Sequence, residues 1–286
     1  MSRKRDTVHL SNRAVIAPNR ERSMPREEWI CGINPVLEAV RAGRNVHKVF
    51  LAFSRRDRAE IEQELSGRDI FVQKVDLQFF EERFRKGHQG IAATVEPREY
   101  ADFDDLIEIP QTKKEVPLFL ILDGIEDPRN FGSILRVADA GGVHGVVIQS
   151  HRSASLTPEA VKASAGASEH VVISMVPNIK HAMNSMKEAG VTIVGAEAGG
   201  DKAVWDMDFM VPVALVVGSE AEGMRRTVKE HCDYIIKLPM QGKVNSLNAS
   251  VATGIIIFEI MRQRMQKSRI CKEKKHNQGE ALFFSG

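Results

Sequence analysis

Hydrophobic and polar positions alternate along the chain in two blocks of short strands and helices. In the second block, short apolar runs rich in β-branched residues recur, and each one predicts a buried strand. The six predicted strands are residues 118–122, 145–149, 171–175, 191–196, 213–217 and 234–237. Segments with helical spacing accompany them at residues 130–140, 158–165, 179–189, 225–231 and 247–265. The pattern predicts an α/β domain whose parallel sheet is covered by helices on both faces.

A smaller block precedes this domain and predicts a second compact α/β unit. Its predicted helices are residues 34–42, 56–66 and 77–84, and its predicted strands are residues 48–52, 70–75 and 90–95. Residues 99–116 are polar and acidic and contain proline, which is typical of a linker with room for a short helix. We therefore predict domains at residues 28–98 and 117–265. A disordered basic extension at 1–27 and a basic tail at 266–286 are expected outside them.

Composition agrees with two ordinary globular domains and excludes several other classes of protein. The chain has 286 residues, of which 43% are hydrophobic and 27% are charged. No apolar run approaches the roughly 20 residues that span a bilayer, and the first residues lack the apolar stretch of a signal peptide. The cysteines at 31, 232 and 271 are scattered and form no CxxC pair. We expect a cytoplasmic protein without disulfides, membrane spans or a metal site.

Charge is distributed unevenly although the formal net charge is only +2. Residues 1–26 contain seven basic and two acidic side chains, and residues 262–280 contain the same numbers. Basic extensions on a near-neutral body favour contact with a polyanion, and nucleic acid is the commonest one. Solvated tails without a partner explain the same pattern equally well.

Candidate chemistry follows three of the predicted strands, at the edge of a parallel sheet where ligands bind. The first strand leads into Asp123-Gly-Ile-Glu-Asp-Pro-Arg-Asn-Phe-Gly-Ser-Ile-Leu-Arg136, in which Asn130 is a candidate N-cap. Asn130, Ser133 and Arg136 offer an amide, a hydroxyl and a guanidinium that would suit a phosphate or a ribose. An ordinary capped helix with one paired arginine is the alternative for this segment alone.

The other two loops carry a glycine-rich turn and a polar helix entrance. In Gly218-Ser-Glu-Ala-Glu-Gly223, Gly218 permits close approach of the backbone and Glu220 lies in the mouth of the expected site. No GxGxxG or GxxxxGK[ST] motif occurs, which disfavours a dinucleotide oxidoreductase and a P-loop enzyme. Residues 238–258 run from a polar cluster into a small-residue helix, and Ser246 is its candidate N-cap.

Together the three segments resemble the signature motifs of the SpoU (TrmH-type) branch of the SPOUT methyltransferases. They stand here as Asn130-Phe-Gly-Ser-Ile-Leu-Arg136, Gly218-Ser-Glu-Ala-Glu-Gly223 and Leu238-Pro-Met followed by Asn245-Ser-Leu-Asn248. In the first domain, Gly32-Ile-Asn-Pro-Val-Leu-Glu-Ala39 and His88-Gln-Gly-Ile-Ala-Ala93 are similar to the L30e-like RNA-binding domain of such enzymes. The resemblance covers residues 29–265.

The resemblance implies a fold and a cofactor. The second domain would be a knotted parallel sheet with a deep trefoil knot, an exception to the rule against knots. S-adenosyl-L-methionine would lie bent in that knot. The implied cofactor contacts are the backbone of Gly218, Leu238 and Leu247, with Met240 and Ala196 nearby. The family also implies a homodimer with the site near the subunit interface.

The implied reaction is 2′-O-methylation of a ribose in RNA, with a guanosine in large-subunit rRNA favoured over tRNA. The implied catalytic residues are Asn130, Arg136, Glu220, Ser246 and Asn248. Because a guanidinium does not deprotonate in proteins, we expect Arg136 to stabilise the developing alkoxide and grip the neighbouring phosphate. Asn130 would position Arg136 or the ribose, and Glu220 would orient Arg136 or Asn130. Ser246 and Asn248 would hold the nucleotide and methionine ends. A tRNA-directed enzyme, an rRNA methyltransferase for antibiotic resistance and a non-catalytic RNA-binding assembly factor are the alternatives.

Overall fold

The first domain is a mixed four-stranded sheet with three helices. A computed structural model describes the backbone of residues 27–84, 87–243 and 246–281, and side chains as far as residue 266. The strands are β1 (Glu28–Cys31), β2 (Val46–Ala52), β3 (Phe71–Val75) and β4 (Ile91–Val95), and the helices are α1 (Ile33–Arg41), α2 (Arg58–Leu65) and α3 (Leu77–Arg83). The order is β1-β4-β2-β3, with β4 antiparallel to both neighbours and β2 parallel to β3. Residues 1–26 of the predicted extension lie outside the described residues.

Helix α4 (Phe103–Lys113) lies within the predicted linker and packs on the second domain. It begins at Asp102, whose side chain accepts a hydrogen bond from the backbone N–H of Asp104 at 2.8 Å. Leu106 is fully buried, and a Cβ at Gly145 would lie 2.4 Å from its Cγ. The close fit fastens the segment that joins the two domains to one face of the larger sheet.

The second domain contains a parallel sheet of seven strands. They are β5 (Leu118–Asp123), β6 (Gly145–Gln149), β7 (Ile173–Val176), β8 (Thr192–Ala196), β9 (Lys202–Ala203), β10 (Val213–Gly218) and β11 (Tyr234–Lys237). The order is β7-β6-β5-β10-β8-β11-β9, and every pairing is parallel. The predicted α/β class with a parallel sheet is confirmed, and the two-residue strand β9 adds a seventh strand to the six predicted.

Helices cover both faces of this sheet, as the alternating strand pattern requires. They are α5 (Pro128–Ala140), α6 (Pro158–Ala163), α7 (Ile179–Glu188), α8 (Arg226–Lys229) and α9 (Ala249–Ala281). Along β5, Leu120 belongs to the core that contains α5 and α9, whereas Phe119 belongs to the core that contains α4 and α7. No helix in the described ranges is long and apolar enough to cross a membrane. Because β10 lies between β5 and β8, the loops after these strands and after β11 converge at one edge of the sheet.

Charged contacts join the two domains. Arg44 in the first domain donates to Glu28 at 2.7 Å and to Glu169 in the second domain at 2.9 Å. Glu38 and His170 form a second contact at 2.8 Å, and the hydrogen bond from His170 holds the pKa of Glu38 below its ordinary value. Because Arg44 and Glu169 are almost completely buried, this contact fixes the orientation of the first domain more firmly than a surface ion pair would.

Arg264 on α9 fastens that helix to the opposite edge of the sheet. Its guanidinium donates to the backbone carbonyl oxygens of four residues, at 2.7–3.1 Å: Val116, Pro117, Phe209 and Val211. Burial lowers the pKa of Arg264 from its ordinary value. The side chain therefore adds charge-assisted hydrogen bonds to carbonyl groups that precede β5 and β10, and it ties α9 to both strands.

Replacing Arg264 by alanine is expected to lower the free energy of unfolding by about 2 kcal/mol, because charge-assisted hydrogen bonds to carbonyl groups are lost. Urea unfolding of the purified protein measures the change. Arg226→Ala is the matched control, since its side chain is 90% exposed and, within the described part of the chain, pairs only with Glu230 one turn away. We expect a change within about 0.5 kcal/mol for this control. Equal losses in the two variants would contradict the anchoring role of Arg264.

Candidate active site

Helix α5 begins earlier than the sequence pattern suggests, and this frees the side chain of Asn130. Asp127 is the N-cap, and its carboxylate accepts from the backbone N–H of Arg129 at 2.8 Å. Pro128 occupies the first turn, where its missing N–H costs nothing. The prediction that Asn130 caps this helix is therefore wrong. Its amide lies within the first turn and is available for contacts outside the helix.

The start of helix α9 also differs from the prediction. Asn248, rather than Ser246, caps the helix, because its Oδ1 accepts from the backbone N–H groups of Ser250 at 3.0 Å and Val251 at 3.3 Å. The helix begins at Ala249, which places Ser246 in the preceding loop. Val244 and Asn245, the latter part of the third motif, lie outside the described residues.

The three motif segments meet at the carboxylate of Glu220. Its Oε1 accepts from Nδ2 of Asn130 at 3.1 Å and from the backbone N–H of Ala249 at 3.2 Å. Asn248 Nδ2 donates to the same oxygen and also to Oδ1 of Asn130 at 2.9 Å. The carboxylate thus faces the N-terminus of α9, where the helix dipole favours a negative charge. This junction fixes the relative positions of loops that are far apart in the sequence.

A cavity of about 280 Å³ opens beside this junction, between the loops after β8, β10 and β11 and the first turns of α9. Seven residues that the sequence analysis singled out line it: Ala196, Gly218, Glu220, Leu238, Met240, Ser246 and Leu247. All five predicted cofactor contacts are among them. The sequence analysis missed Glu197, which also lines the cavity and directly follows β8. Its position after a buried strand was the signal that could have identified it.

The shape of the cavity depends on a closed turn after β10. Ser219 and Gly223 exchange two backbone hydrogen bonds, at 2.9 and 3.1 Å. A Cβ at Gly218 would lie 2.2 Å from the carbonyl carbon of Gly223, so only glycine fits there. Gly223 itself has a φ of +67°, which an L side chain rarely adopts. The two glycines therefore allow the turn to fold against the strand end and leave space in front of it.

Arg136 stands apart from this junction. It lies on the exposed side of α5, and within the described part of the chain it forms no hydrogen bond or ion pair. Of the two contacts expected for Glu220, the one with Asn130 is present and the one with Arg136 is not. An exposed guanidinium near the helix face that packs on α9 is free to contact a ligand or another chain.

The lining of the cavity suits an amphipathic ligand that carries positive charge. Apolar groups of Leu238, Leu247 and Ile256 form much of the wall. The carboxylates of Glu220 and Glu197 also line the cavity, and that of Glu197 is paired with Lys229. Apolar walls accommodate an aromatic base, while carboxylates favour a sulfonium or an ammonium group. S-adenosylmethionine has these features, so the residues present fit it. Among the described residues, no group of three His, Cys, Asp or Glu side chains could hold a metal ion.

Comparison with known proteins identifies the family. The model of the SpoU rRNA Methylase family matches residues 117–258, and that of the RNA 2′-O ribose methyltransferase substrate-binding domain matches residues 29–101. YacO of Bacillus subtilis (strain 168), of the TrmH family of tRNA/rRNA methyltransferases, is 43% identical over 241 residues, covering 84% of this chain and 97% of YacO.

Solved structures agree with this assignment. The SpoU methyltransferase AviRb from Streptomyces viridochromogenes, in complex with the cofactor AdoMet, superposes with a TM-score of 0.71 at 29% identity, covering 84% of this chain and 91% of AviRb. An AdoMet-bound rRNA methyltransferase from Sinorhizobium meliloti gives a TM-score of 0.69 at 25% identity, covering 83% and 87% of the two chains. The chain belongs to the SpoU (TrmH) family of S-adenosylmethionine-dependent RNA 2′-O-ribose methyltransferases.

Proposed function

We propose that this protein methylates the ribose 2′-hydroxyl of a guanosine in large-subunit (23S) rRNA, as an enzyme of the RlmB type. The observation that carries the proposal is the junction at Glu220, where all three motif segments meet beside the first cavity. The match of residues 29–101 to a substrate-binding domain supports an rRNA target, because tRNA-specific relatives more often lack that domain. Relatives named for both tRNA and rRNA leave a tRNA target as the alternative.

The proposed mechanism assigns positioning to the junction and charge stabilisation to Arg136. S-adenosylmethionine, when bound, supplies a methyl group that its sulfonium has already activated. A ribose hydroxyl is a poor nucleophile, so the protein must hold it in line with that methyl group. Alignment alone contributes up to about 7–11 kcal/mol in favourable intramolecular cases. Asn130 and Asn248, fixed by Glu220, orient the ribose, while Arg136 stabilises the alkoxide that develops as the 2′-hydroxyl proton passes to solvent water.

Backbone contacts are proposed to hold the cofactor. Gly218, Leu238 and Leu247 present peptide groups to the cavity, and Met240 and Ala196 complete its wall. Ser246 lies in the same lining and offers a hydroxyl at the entrance. We further propose that the loop after β11, where it passes over this cavity, forms the trefoil knot of the family.

We propose that the enzyme is a homodimer. Helix α9 exposes an apolar stripe at helical spacing, formed by Val251, Ile255, Phe258 and Met265. Phe258 and Met265 each remain more than half exposed, although α5 packs on the neighbouring side of the helix. A second copy that covers this stripe would also lie close to Arg136 on α5 and to the entrance of the cavity. A subunit interface near the site would explain both the exposed apolar stripe on α9 and the exposed Arg136 beside it.

Replacing Gly218 by alanine is expected to weaken S-adenosylmethionine binding about tenfold, which is roughly 1.4 kcal/mol. The added methyl group cannot fit against the carbonyl carbon of Gly223 and must displace the turn that walls the cavity. Isothermal titration calorimetry measures the affinity. Gly199→Ala is the control, because a Cβ there meets nothing within 4 Å and lies at the same edge of the sheet. Unchanged affinity in Gly218→Ala would show that the shape of this turn does not contribute to cofactor binding.

Mapping ribose methylation across total RNA, with and without the gene for this protein, tests the proposed function. We expect the loss of one 2′-O-methylguanosine in 23S rRNA and its return when the wild-type gene is restored. Loss of a 2′-O-methyl mark in tRNA would instead support the alternative, in which tRNA is the substrate. No lost 2′-O-methyl mark, together with failure to bind S-adenosylmethionine in calorimetry, would favour a non-catalytic RNA-binding assembly factor.

A further inference from the structure

A second cavity, of about 350 Å³, adjoins the first at the same edge of the sheet. The turn after β10 separates the two cavities, and Ser219, Glu220, Glu222 and Gly223 line both of them. The opposite wall is formed by residues 123–127 after β5 and by the loop after β6. A ligand in this cavity would therefore lie directly across Glu220 from the methyl donor.

Arg225 is a built part of this cavity. Its Nε donates to the carboxylate of Asp123 at 2.6 Å, and its Nη2 donates to Oε1 of Gln149 at 2.6 Å. The side chain of Asp123 is completely buried, and it also accepts from the backbone N–H of Arg225 at 2.8 Å. These contacts fix the guanidinium, yet its side chain stays 39% exposed, and its Nη1 has no partner among the described residues. Such a group binds a ligand with little further loss of side-chain freedom.

Two carboxylates and a second guanidinium line the same cavity. Glu126 and Glu222 are exposed, and within the described ranges neither side chain forms a hydrogen bond or an ion pair. Arg152, from the loop after β6, has a φ of +53°, a backbone conformation that few residues other than glycine adopt. The cavity therefore presents hydrogen-bond acceptors and hydrogen-bond donors that remain unused within the chain.

We infer that this second cavity binds the base of the acceptor nucleotide, with Arg225, Glu126 and Glu222 as the residues that select it. The inference rests on the proposed function, since it requires that the ribose meet the methyl group beside Glu220. It assigns recognition of the base to residues of the methyltransferase domain itself.

The chemistry of the four bases makes guanine the best match. Guanine presents two adjacent N–H donors on its Watson–Crick edge, which the two oxygens of one carboxylate can accept together. Its O6 and N7 acceptors suit an arginine guanidinium. Adenine and cytosine offer a carboxylate only an amino group, and uracil offers it a single ring N–H. Only guanine uses both the acceptors and the fixed donor of this cavity.

Methyl transfer to 23S rRNA from cells that lack the gene tests the inference. The RNA is incubated with the protein and S-adenosylmethionine labelled in its methyl group, and it is then digested to nucleosides that are separated and counted. Glu126→Gln and Glu222→Gln remove an acceptor without a change in size. Glu188→Gln, on the exposed side of α7, is the matched control. Gln149→Ala loosens Arg225 without touching the proposed ligand, so it tests the positioning of that guanidinium.

We expect label in 2′-O-methylguanosine alone. The glutamine variant at 126 or 222 that alters the carboxylate facing the base should lower kcat/KM for RNA about tenfold or more, while S-adenosylmethionine affinity stays within about twofold of wild type. Gln149→Ala should raise KM for RNA more than it lowers kcat, and Glu188→Gln should match wild type.

The remaining outcomes separate this inference from the proposed function. Label in 2′-O-methylguanosine with unchanged kinetics of both glutamine variants would overturn the assignment of the cavity and leave the proposed function standing. Label in another nucleoside would overturn the guanine preference. No transfer by the wild-type protein, although it binds S-adenosylmethionine, would overturn both.

Discussion

Replacing Glu220 by alanine is expected to reduce methyl transfer by at least about 100-fold, the scale on which loss of one preorganised polar group acts in other enzymes. One carboxylate oxygen holds the amides of Asn130 and Asn248 and the backbone N–H of Ala249. Alanine leaves these donors without their shared acceptor, so the two amides lose the geometry that aligns the ribose. Binding of S-adenosylmethionine should weaken much less, since Glu220 contributes only part of the cavity rim.

Initial rates with labelled S-adenosylmethionine give the turnover, and calorimetry gives the affinity for the cofactor. Glu188→Ala provides the control for loss of an exposed carboxylate far from the junction. A thermal unfolding scan of both variants excludes collapse of the fold. If Glu220→Ala retained more than a tenth of the wild-type turnover, the junction would be a structural contact and not the centre of the site.

The meeting of the three motif segments followed from the sequence because each segment lies at or shortly after the carboxyl end of a predicted strand. Buried parallel strands are recognised from their continuous apolar runs, and their carboxyl ends must meet at one edge of the sheet. Asn130, Glu220 and Asn248 were therefore expected together although more than 100 residues separate the first from the last. The contacts that join them follow from this geometry.

The helix caps were predicted less well because neighbouring residues compete for the same role. Asp127 and Asn130 both have side chains that cap helices, as do Ser246 and Asn248. The local pattern of apolar residues does not decide between two candidates two or three positions apart. With Asp127 as the cap of α5, the amide of Asn130 is left to donate to Glu220. With Asn248 as the cap of α9, its Oδ1 caps the helix while its Nδ2 donates to Glu220. Contacts across the site, which no local pattern contains, therefore contribute to the choice.

Strands β1 and β9 were not predicted, and helix α4 was expected only as an option within the linker. All three depend on distant partners for their formation. Strand β9 has two residues and is defined only by its pairing with β11. Strand β1 is short and pairs with β4, more than 60 positions along the chain. Helix α4 mixes polar and apolar residues, and its place on the sheet depends on the packing of Leu106, Phe103 and Ile107 against the core. Short or polar segments carry little periodic signal, so tertiary contacts decide their conformation.

Replacing Arg136 by alanine is expected to lower kcat by about 100- to 1,000-fold while S-adenosylmethionine affinity and thermal stability stay unchanged. Within the described chain this side chain has no partner and lies on the exposed side of α5, so its removal breaks no contact of the fold. The loss would instead remove the positive charge that stabilises the alkoxide in the transition state. Arg136→Lys should recover part of the rate, since it keeps the charge but not the planar pair of donors.

Arg129→Ala is the matched control, because Arg129 lies on the same helix and is 73% exposed. Among the residues that the structure describes, its side chain forms only surface contacts, with Asp127 and Glu159. Its turnover should remain within about twofold of wild type, as expected for an exposed ion pair. Single-turnover measurements with saturating cofactor separate chemistry from binding. Should Arg136→Ala lose cofactor binding as completely as turnover, the arginine would have a structural role in the site. A normal rate in that variant would instead exclude Arg136 from the mechanism. Charge stabilisation would then fall to another guanidinium, and Arg225, which Asp123 holds in place and which lines the same cavity as Glu220, is the candidate.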